Sequence, residues 1–219
     1  MDRGGLVGED GETHQGVYDL SYLRCVPNMV VMAPSNENEL RNMLYTAVEH
    51  NGPVALRYPR GNGEGVPMEK TFKKLEIGKG EIIEEGSQYA LLAIGRMVGV
   101  AKTAHNLLKK EGIQGTVANM RFVKPLDEKL LVSIASKTKV LLTLEENVGM
   151  GGFGSAVMEA LQKNGISDCV VKQIAIPDAF IEHGKPQLQR EMCGLEAPQV
   201  VSAVKLLLQN REPALGVVS

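Results

Sequence analysis

Short apolar runs alternate in this chain with segments whose apolar residues recur at helical spacing, and this alternation restricts the fold more than any other feature. Met29–Ala33 and Val54–Tyr58 have the composition of strands buried in a parallel sheet. Between them, apolar residues mark one face of a helix that ends near His50, and Ser35 stands where its N-cap is expected. The order strand, helix, strand predicts a right-handed βαβ unit with parallel strands.

A second series of the same kind follows the segment Gly61–Gly86, which is rich in glycine and charged residues. We interpret this segment as an interdomain linker that leads into an edge strand near Lys79–Glu84. The predicted fold class is therefore α/β, divided into residues 1–75 and 76–219. The remaining predicted elements are a short helix at Val17–Arg24, strands at Tyr89–Ile94, Gly115–Met120, Lys139–Leu144 and Cys169–Ile176, and helices at Val98–Leu108, Asp127–Ser136, Ser155–Gln162 and Glu196–Leu208.

Charge and composition argue against several classes of protein. The net charge is −2, and lysine and arginine form no basic stripe of the kind that nucleic-acid phosphates require. No apolar run approaches the roughly 20 residues of a membrane span, and the first residues lack the apolar core of a signal peptide. Cys25, Cys169 and Cys193 are widely spaced, as free thiols in a reducing compartment are. We therefore expect a cytoplasmic protein with no nucleic acid or membrane as partner.

The first candidate site is the polar stretch Gly8–Gly16, which has neither helix nor strand periodicity and is predicted to be a loop. It contains Asp10 and His14, and a carboxylate and an imidazole held on such a loop can handle a proton near neutral pH. Its glycines allow a ligand to approach the backbone closely. A polar surface turn with a chance histidine is the alternative, and the residues alone leave it open.

The second candidate is Arg60, which follows the predicted strand Val54–Tyr58 in a glycine-containing loop. Ligands of parallel sheets collect beyond the carboxyl ends of the strands. A guanidinium at that place is suited to a phosphate, which its donors can bind bidentately. An ordinary surface arginine is an equally weighted alternative.

Two further polar loops are weaker candidates. Glu145 and Glu146 precede the glycine-rich stretch Gly149–Gly154, which we interpret as tight packing of a loop on a helix, since it lacks the residues of a phosphate-binding loop. The two glutamates could bind a cation, but no further carboxylates are near in sequence. Asp178 and His183 lie in a loop where a lone histidine is more often a turn or interface residue.

Several stretches carry a resemblance when they are taken together: Gly8–Gly16, Asp19–Cys25, Pro27–Met29, Arg57–Gly61, Met120–Asp127, Glu145–Asn147, Ile176–Asp178 and Glu182–Gly184. They resemble the 1-deoxy-D-xylulose-5-phosphate synthase family, and the resemblance spans essentially the whole chain. Gly8–Gly16 and Arg57–Gly61 separate this family from transketolases and from the β-subunits of ketoacid dehydrogenases.

The resemblance implies an enzyme that depends on thiamine diphosphate and is built from three α/β domains. Residues 1–75 would be the second half of the pyrimidine-binding domain, and residues 76–219 a complete transketolase C-terminal-type α/β domain. In the family, the first domain holds the cofactor diphosphate and magnesium. We therefore assign no cofactor-binding or metal-binding residue in this chain, and we expect it to be inactive alone.

The resemblance also implies a reaction and roles for single residues. Pyruvate adds to the thiamine, loses carbon dioxide, and the product attacks glyceraldehyde 3-phosphate, in the biosynthesis of isoprenoid precursors. By resemblance, His14 assists proton handling, Asp10 orients groups derived from the donor, and Arg3 and Arg60 bind the acceptor's phosphate. The family also implies a homodimer.

Three organisations are compatible with these observations. The favoured one is a truncated synthase that begins in the middle of a domain, keeps half of the acceptor pocket and lacks the cofactor machinery. The others are one subunit of a split thiamine enzyme and a noncatalytic α/β module for self-association. Truncation predicts that residues 1–75 are poorly ordered, rearranged or buried against another copy, and that the rest is well folded.

Overall fold

The computed structural model describes residues 1–211, and its helices and strands follow the predicted alternation. The strands are β1 (Val30–Met32), β2 (Val54–Leu56), β3 (Glu81–Glu84), β4 (Ala90–Ala93), β5 (Thr116–Asn119), β6 (Phe122–Lys124), β7 (Val140–Val148) and β8 (Val170–Ile176). The α-helices are α1 (Asp19–Leu23), α2 (Glu37–Val48), α3 (Met97–Lys110), α4 (Glu128–Lys137), α5 (Phe153–Lys163), α6 (Pro186–Met192) and α7 (Ala197–Gln209). None of the helices in these residues has both the length and the apolar character to cross a membrane.

The larger sheet has the strand order β3-β5-β4-β7-β8 and is parallel except for β3, which runs antiparallel to β5. Both of its faces are covered, and the central strand β4 is accordingly apolar throughout. Leu91 lies in the core cluster that includes residues of α3 and α7, whereas Leu92 lies in the cluster that includes residues of α4 and α5. The mixed α/β class predicted from the alternation is confirmed.

The smaller sheet joins the two halves of the chain. Its order is β2-β1-β6, with β1 parallel to β2 and antiparallel to β6. β6 was not predicted from the sequence pattern, because it is only three residues long and shows no periodicity. It follows Arg121, whose φ is +57°. Residues 1–75 thereby pack on the second series. Their poor order or rearrangement in solution stays a prediction.

The start of α2 differs in one residue from the prediction. Its N-cap is Asn36, not Ser35, because Asn36 has the extended backbone of a cap and its side chain accepts a hydrogen bond from the Glu39 N–H at 2.9 Å. In return, the Glu39 carboxylate accepts a hydrogen bond from the Ser35 N–H at 2.6 Å. The two residues form a reciprocal capping arrangement one position later than expected. The helix was predicted to end near His50; since α2 ends at Val48, His50 lies beyond it.

Two elements of the second series were predicted wrongly or missed. β7 continues to Val148, so Glu145–Asn147, predicted as the start of a loop, lie inside a buried strand. α6 was not predicted, because its seven residues with Pro186 at the start show no clear apolar period. Both differences bear on the candidate site.

Candidate functional site

The candidate site lies at the carboxyl end of β2, where the N-terminal segment runs beside the chain that follows the strand. The Gly4 N–H donates to the Tyr58 carbonyl at 2.9 Å, and the Gly5 N–H donates to the Gly16 carbonyl at 2.8 Å. Gly5 has a φ of +86°, and a Cβ there would stand 2.5 Å from Cδ of the Glu146 side chain. Glycine is therefore required at position 5 for the close approach of the N-terminal segment to Glu146.

Asp10 stands between Arg3 and Arg60, the two arginines to which the resemblance assigns phosphate binding. Arg3 donates from Nε to Oδ2 of Asp10 at 3.1 Å, and Arg60 forms an ion pair with the same oxygen. Hydrogen bonds from Arg60 and, to a smaller extent, from Arg3 hold the pKa of the Asp10 carboxyl below its usual range. The two arginine side chains are 41% and 50% exposed, so both guanidiniums can still reach a ligand. Three of the four predicted site residues are thus brought together.

His14 lies apart from this cluster. Its Nδ1 is 2.9 Å from the Thr13 hydroxyl, its side chain is exposed, and its backbone N–H donates to the Gly11 carbonyl. Among the hydrogen bonds and ion pairs of residues 1–211, none joins its ring to the arginines or to Asp10. Its catalytic role stays a prediction.

Arg57 holds the site together through buried hydrogen bonds, although no role for it was predicted from the sequence. Its guanidinium donates from Nε to Oδ2 of Asp19 at 2.9 Å and from Nη2 to the Gly16 carbonyl at 2.7 Å and to the Glu146 carbonyl. The side chains of Arg57 and Asp19 are 6% and 3% exposed. One buried cation therefore fixes the end of the site loop, the start of α1 and the end of β7.

Glu145 and Glu146 are structural in this fold. Glu145 accepts hydrogen bonds from the Phe153 and Gly154 N–H groups, both at 2.7 Å, and so caps the start of α5. Glu146 accepts from the Leu6 N–H at 3.2 Å, and Arg96 lies 3.8 Å from it. Within residues 1–211 no three histidine, cysteine, aspartate or glutamate side chains are grouped to hold a metal ion.

Burial of Glu145 predicts a pH dependence of stability. Desolvation raises the pKa of its carboxyl to about 7, from 4.5 in an unfolded chain. Because the folded chain then binds the extra proton, the free energy of unfolding should fall as the pH rises from about 4.5 to about 7, by on the order of 3 kcal/mol. Urea unfolding at several pH values measures this slope.

A comparison of two variants isolates Glu145 from other groups that titrate in the same range. Glu145→Gln should remove its part of the slope, whereas Glu128→Gln, at the start of α4, should leave the slope between pH 5 and 7 unchanged. Equal slopes for the wild type and Glu145→Gln would show that Glu145 ionises normally in the folded chain.

The loop that contains Asp178 and His183 also reaches the site. Both side chains are exposed, and Cβ of His183 lies 3.3 Å from where a Cβ on Gly11 would stand. The Gly184 N–H donates to the Gly8 carbonyl at 3.2 Å. This contact joins regions more than 170 residues apart, so no local sequence signal could have indicated it.

Family models match both parts of the chain. Residues 1–65 match the transketolase pyrimidine binding domain, and residues 78–200 match the transketolase C-terminal domain. A 1-deoxy-D-xylulose-5-phosphate synthase of Desulforudis audaxviator is 54% identical over 92% of this chain and 32% of its own length. Another, from Geobacter sulfurreducens, is 49% identical over 100% of this chain and 35% of its own length. The chain thus spans about a third of the length of the curated relatives it matches.

Solved structures with the same fold include two transketolases. One is described as "Split gene transketolase, inactive beta4 tetramer"; it has a TM-score of 0.79 and 35% identity, over 90% of this chain and 63% of that one. The other, a transketolase of Campylobacter jejuni, has a TM-score of 0.70 and 23% identity, over 94% of this chain and 30% of that one. The second supports the fold alone.

Proposed function

The chain belongs to the transketolase family, and we propose that it supplies the acceptor-phosphate site of a 1-deoxy-D-xylulose-5-phosphate synthase. In this proposal the whole enzyme condenses pyruvate with glyceraldehyde 3-phosphate with loss of carbon dioxide, and its product enters isoprenoid precursor biosynthesis. The observation that carries the proposal is the Arg3–Asp10–Arg60 cluster at the carboxyl end of a parallel strand.

Two guanidiniums converge on one carboxylate, and each can offer charge-assisted hydrogen bonds to a phosphate. Arg3 and Arg60 converge on the same oxygen of Asp10, so an acceptor phosphate near that point can take charge-assisted bonds from both. Both are partly exposed, which leaves donors available. Arg57, which is also a cation nearby, is buried and bonded to Asp19 and to the Gly16 and Glu146 carbonyls, so we assign it a structural role.

The roles of the other two residues rest on the resemblance. Asp10 is proposed to orient groups derived from the donor once a phosphate has drawn the arginines toward itself. His14 is proposed to move a proton during the condensation, and its exposure leaves the ring open to a substrate from the solvent side. Since no hydrogen bond or ion pair within residues 1–211 ties its ring to the cluster, the ring can act on the reacting carbon rather than on the phosphate.

Thiamine diphosphate supplies the carbanion chemistry of this family, and we propose that it and Mg²⁺ are held by parts of the enzyme other than this chain. The acidic side chains at the end of β7, Glu145 and Glu146, are satisfied by backbone N–H groups and do not fit a metal site. The chemistry proposed for this chain is therefore acceptor binding, orientation and proton transfer, and the chain alone is expected to be inactive.

A subunit of a split enzyme is the second candidate organisation. It is favoured by the 35% identical neighbour whose description names a split gene and an inactive β4 tetramer. For either organisation we propose a homodimeric assembly in the cytoplasm. A noncatalytic module would tolerate loss of the arginine pair, which the first two organisations would not.

The test is phosphate binding by the chain itself, measured by isothermal titration with inorganic phosphate and with glyceraldehyde 3-phosphate. We expect a dissociation constant on the order of 1 mM, about −4 kcal/mol. Arg60→Met should weaken binding about ten- to hundredfold, because it removes charge-assisted bonds. Arg211→Met, on an exposed arginine beside Asp168, is the matched control and should leave it unchanged. No binding by the wild type, or equal loss in both variants, would refute the proposed site.

A further inference from the structure

The loop that carries Asp10 and His14 is held at both ends by glutamine side chains. Gln189 of α6 accepts from the Gly8 N–H with its Oε1 at 3.0 Å and donates from Nε2 to the Glu182 carbonyl at 2.7 Å. At the other end, Gln15 donates from Nε2 to the Ile181 carbonyl at 2.8 Å. The segment Ile181–Gly184 is thus attached to both ends of the loop.

Gly8 is the tightest point of this attachment. Its φ is +74°, and a Cβ there would stand 2.8 Å from the Pro186 ring. Its carbonyl accepts from the Gly11 N–H, which closes the short 3₁₀ helix Gly8–Asp10, and from the Gly184 N–H, both at 3.2 Å. The position of this turn therefore depends on contacts from α6 and the segment before it.

We propose that Gln189 is a positioning residue for the acceptor site: it fixes the Gly8–Asp10 turn and thereby sets the Asp10 carboxylate between Arg3 and Arg60. This inference rests on the proposed phosphate site for its functional consequence. Asp10 is only two residues from Gly8, and a three-residue 3₁₀ helix has too few internal hydrogen bonds to hold its own geometry.

Because Gln189 is buried, loss of its side-chain amide should displace the Gly8–Asp10 turn. Its side chain is 2% exposed, and Gly8 is also buried. If the amide is lost, the Gly8 N–H has neither Gln189 nor water to bond to, and an unpaired buried donor is unfavourable. The turn must then shift to satisfy that donor, and Asp10 shifts with it.

Gln189→Met tests this, because methionine has nearly the same length and no amide. We expect phosphate to bind about five- to tenfold more weakly, because the displaced Asp10 carboxylate keeps its negative charge near the phosphate but no longer holds Arg3 and Arg60 together. We also expect the Arg3 Nε–H signal in a ¹⁵N NMR spectrum, recorded without phosphate, to move or broaden as its bond to Asp10 loosens. Gln187→Met is the matched control: Gln187 lies on the same helix and is exposed, and within residues 1–211 its side chain bonds only to Glu191. It should change neither quantity.

The NMR signal separates this proposal from the proposed function. If the wild type fails to bind phosphate but Gln189→Met still changes the Arg3 signal, the positioning role stands and the phosphate site falls. If phosphate binds and Gln189→Met leaves both the affinity and the Arg3 signal unchanged, the positioning role is overturned. Should Gln189→Met fail to fold, Gln15→Met at the other end of the loop should weaken phosphate binding in the same direction, and no change there would overturn the proposal.

Discussion

Replacement of Arg57 by methionine is expected to lower the free energy of unfolding by about 3–5 kcal/mol. The guanidinium is buried, and its loss leaves the carboxylate of Asp19 without its cation in a site that is 3% exposed. The carbonyls of Gly16 and Glu146 lose a donor at the same time. Chemical denaturation, followed by circular dichroism, measures the change.

Two variants show whether burial is the reason for this effect. Lys163→Met removes the cation of an exposed pair with Glu128 and should cost less than about 1 kcal/mol. Asp19→Asn added to Arg57→Met removes the stranded charge and should recover part of the stability. If Arg57→Met cost no more than Lys163→Met, the buried pair would not be the anchor of the site.

Replacement of Asp10 by asparagine is expected to strengthen binding of inorganic phosphate by about tenfold, because it removes a negative charge beside the phosphate. The carboxylate now shares both arginines and opposes an incoming dianion. Its lowered pKa means that this charge is present throughout the neutral range. Asparagine keeps the shape and one acceptor but removes the repulsion.

The dependence of binding on salt concentration separates this explanation from a change in shape. The difference between the wild type and Asp10→Asn should shrink as the salt concentration rises, because screening weakens repulsion at partly exposed groups. Glu12→Gln, on an exposed residue of the same loop, is the control and should have a much smaller effect. Weaker binding by Asp10→Asn would mean instead that Asp10 is needed mainly to hold the arginines in place.

Much of the fold could be predicted because its strands are short, apolar and separated by helices with clear periodicity. β4 and α3 are examples in which local pattern and structure agree within a few residues. β7 is the opposite case: Glu145 and Glu146 near its end are buried, and the N–H groups of Leu6, Phe153 and Gly154 donate hydrogen bonds to them. One of those donors lies 140 residues away, so local composition indicated a loop.

The candidate site could be predicted only in part, because only some of its residues lie in stretches of unusual composition. Asp10 and Arg60 occur in stretches whose polar and glycine composition is unusual, and the structure brings them together with Arg3. Arg57 and Gln189 act through buried hydrogen bonds with backbone groups that are distant in sequence. Nothing in the adjacent sequence distinguishes such a side chain from an ordinary arginine or glutamine.

The smaller sheet also determines where this polypeptide can be divided. Its edge strand β6 comes from beyond the linker, and it covers the backbone of Val31 and Met32 on the side away from β2. A chain that stopped at residue 75 would leave that apolar edge open, and an open edge is a template for aggregation. The shortest N-terminal piece that keeps the edge closed must therefore extend at least to Lys124, some 50 residues past the boundary that the sequence suggests.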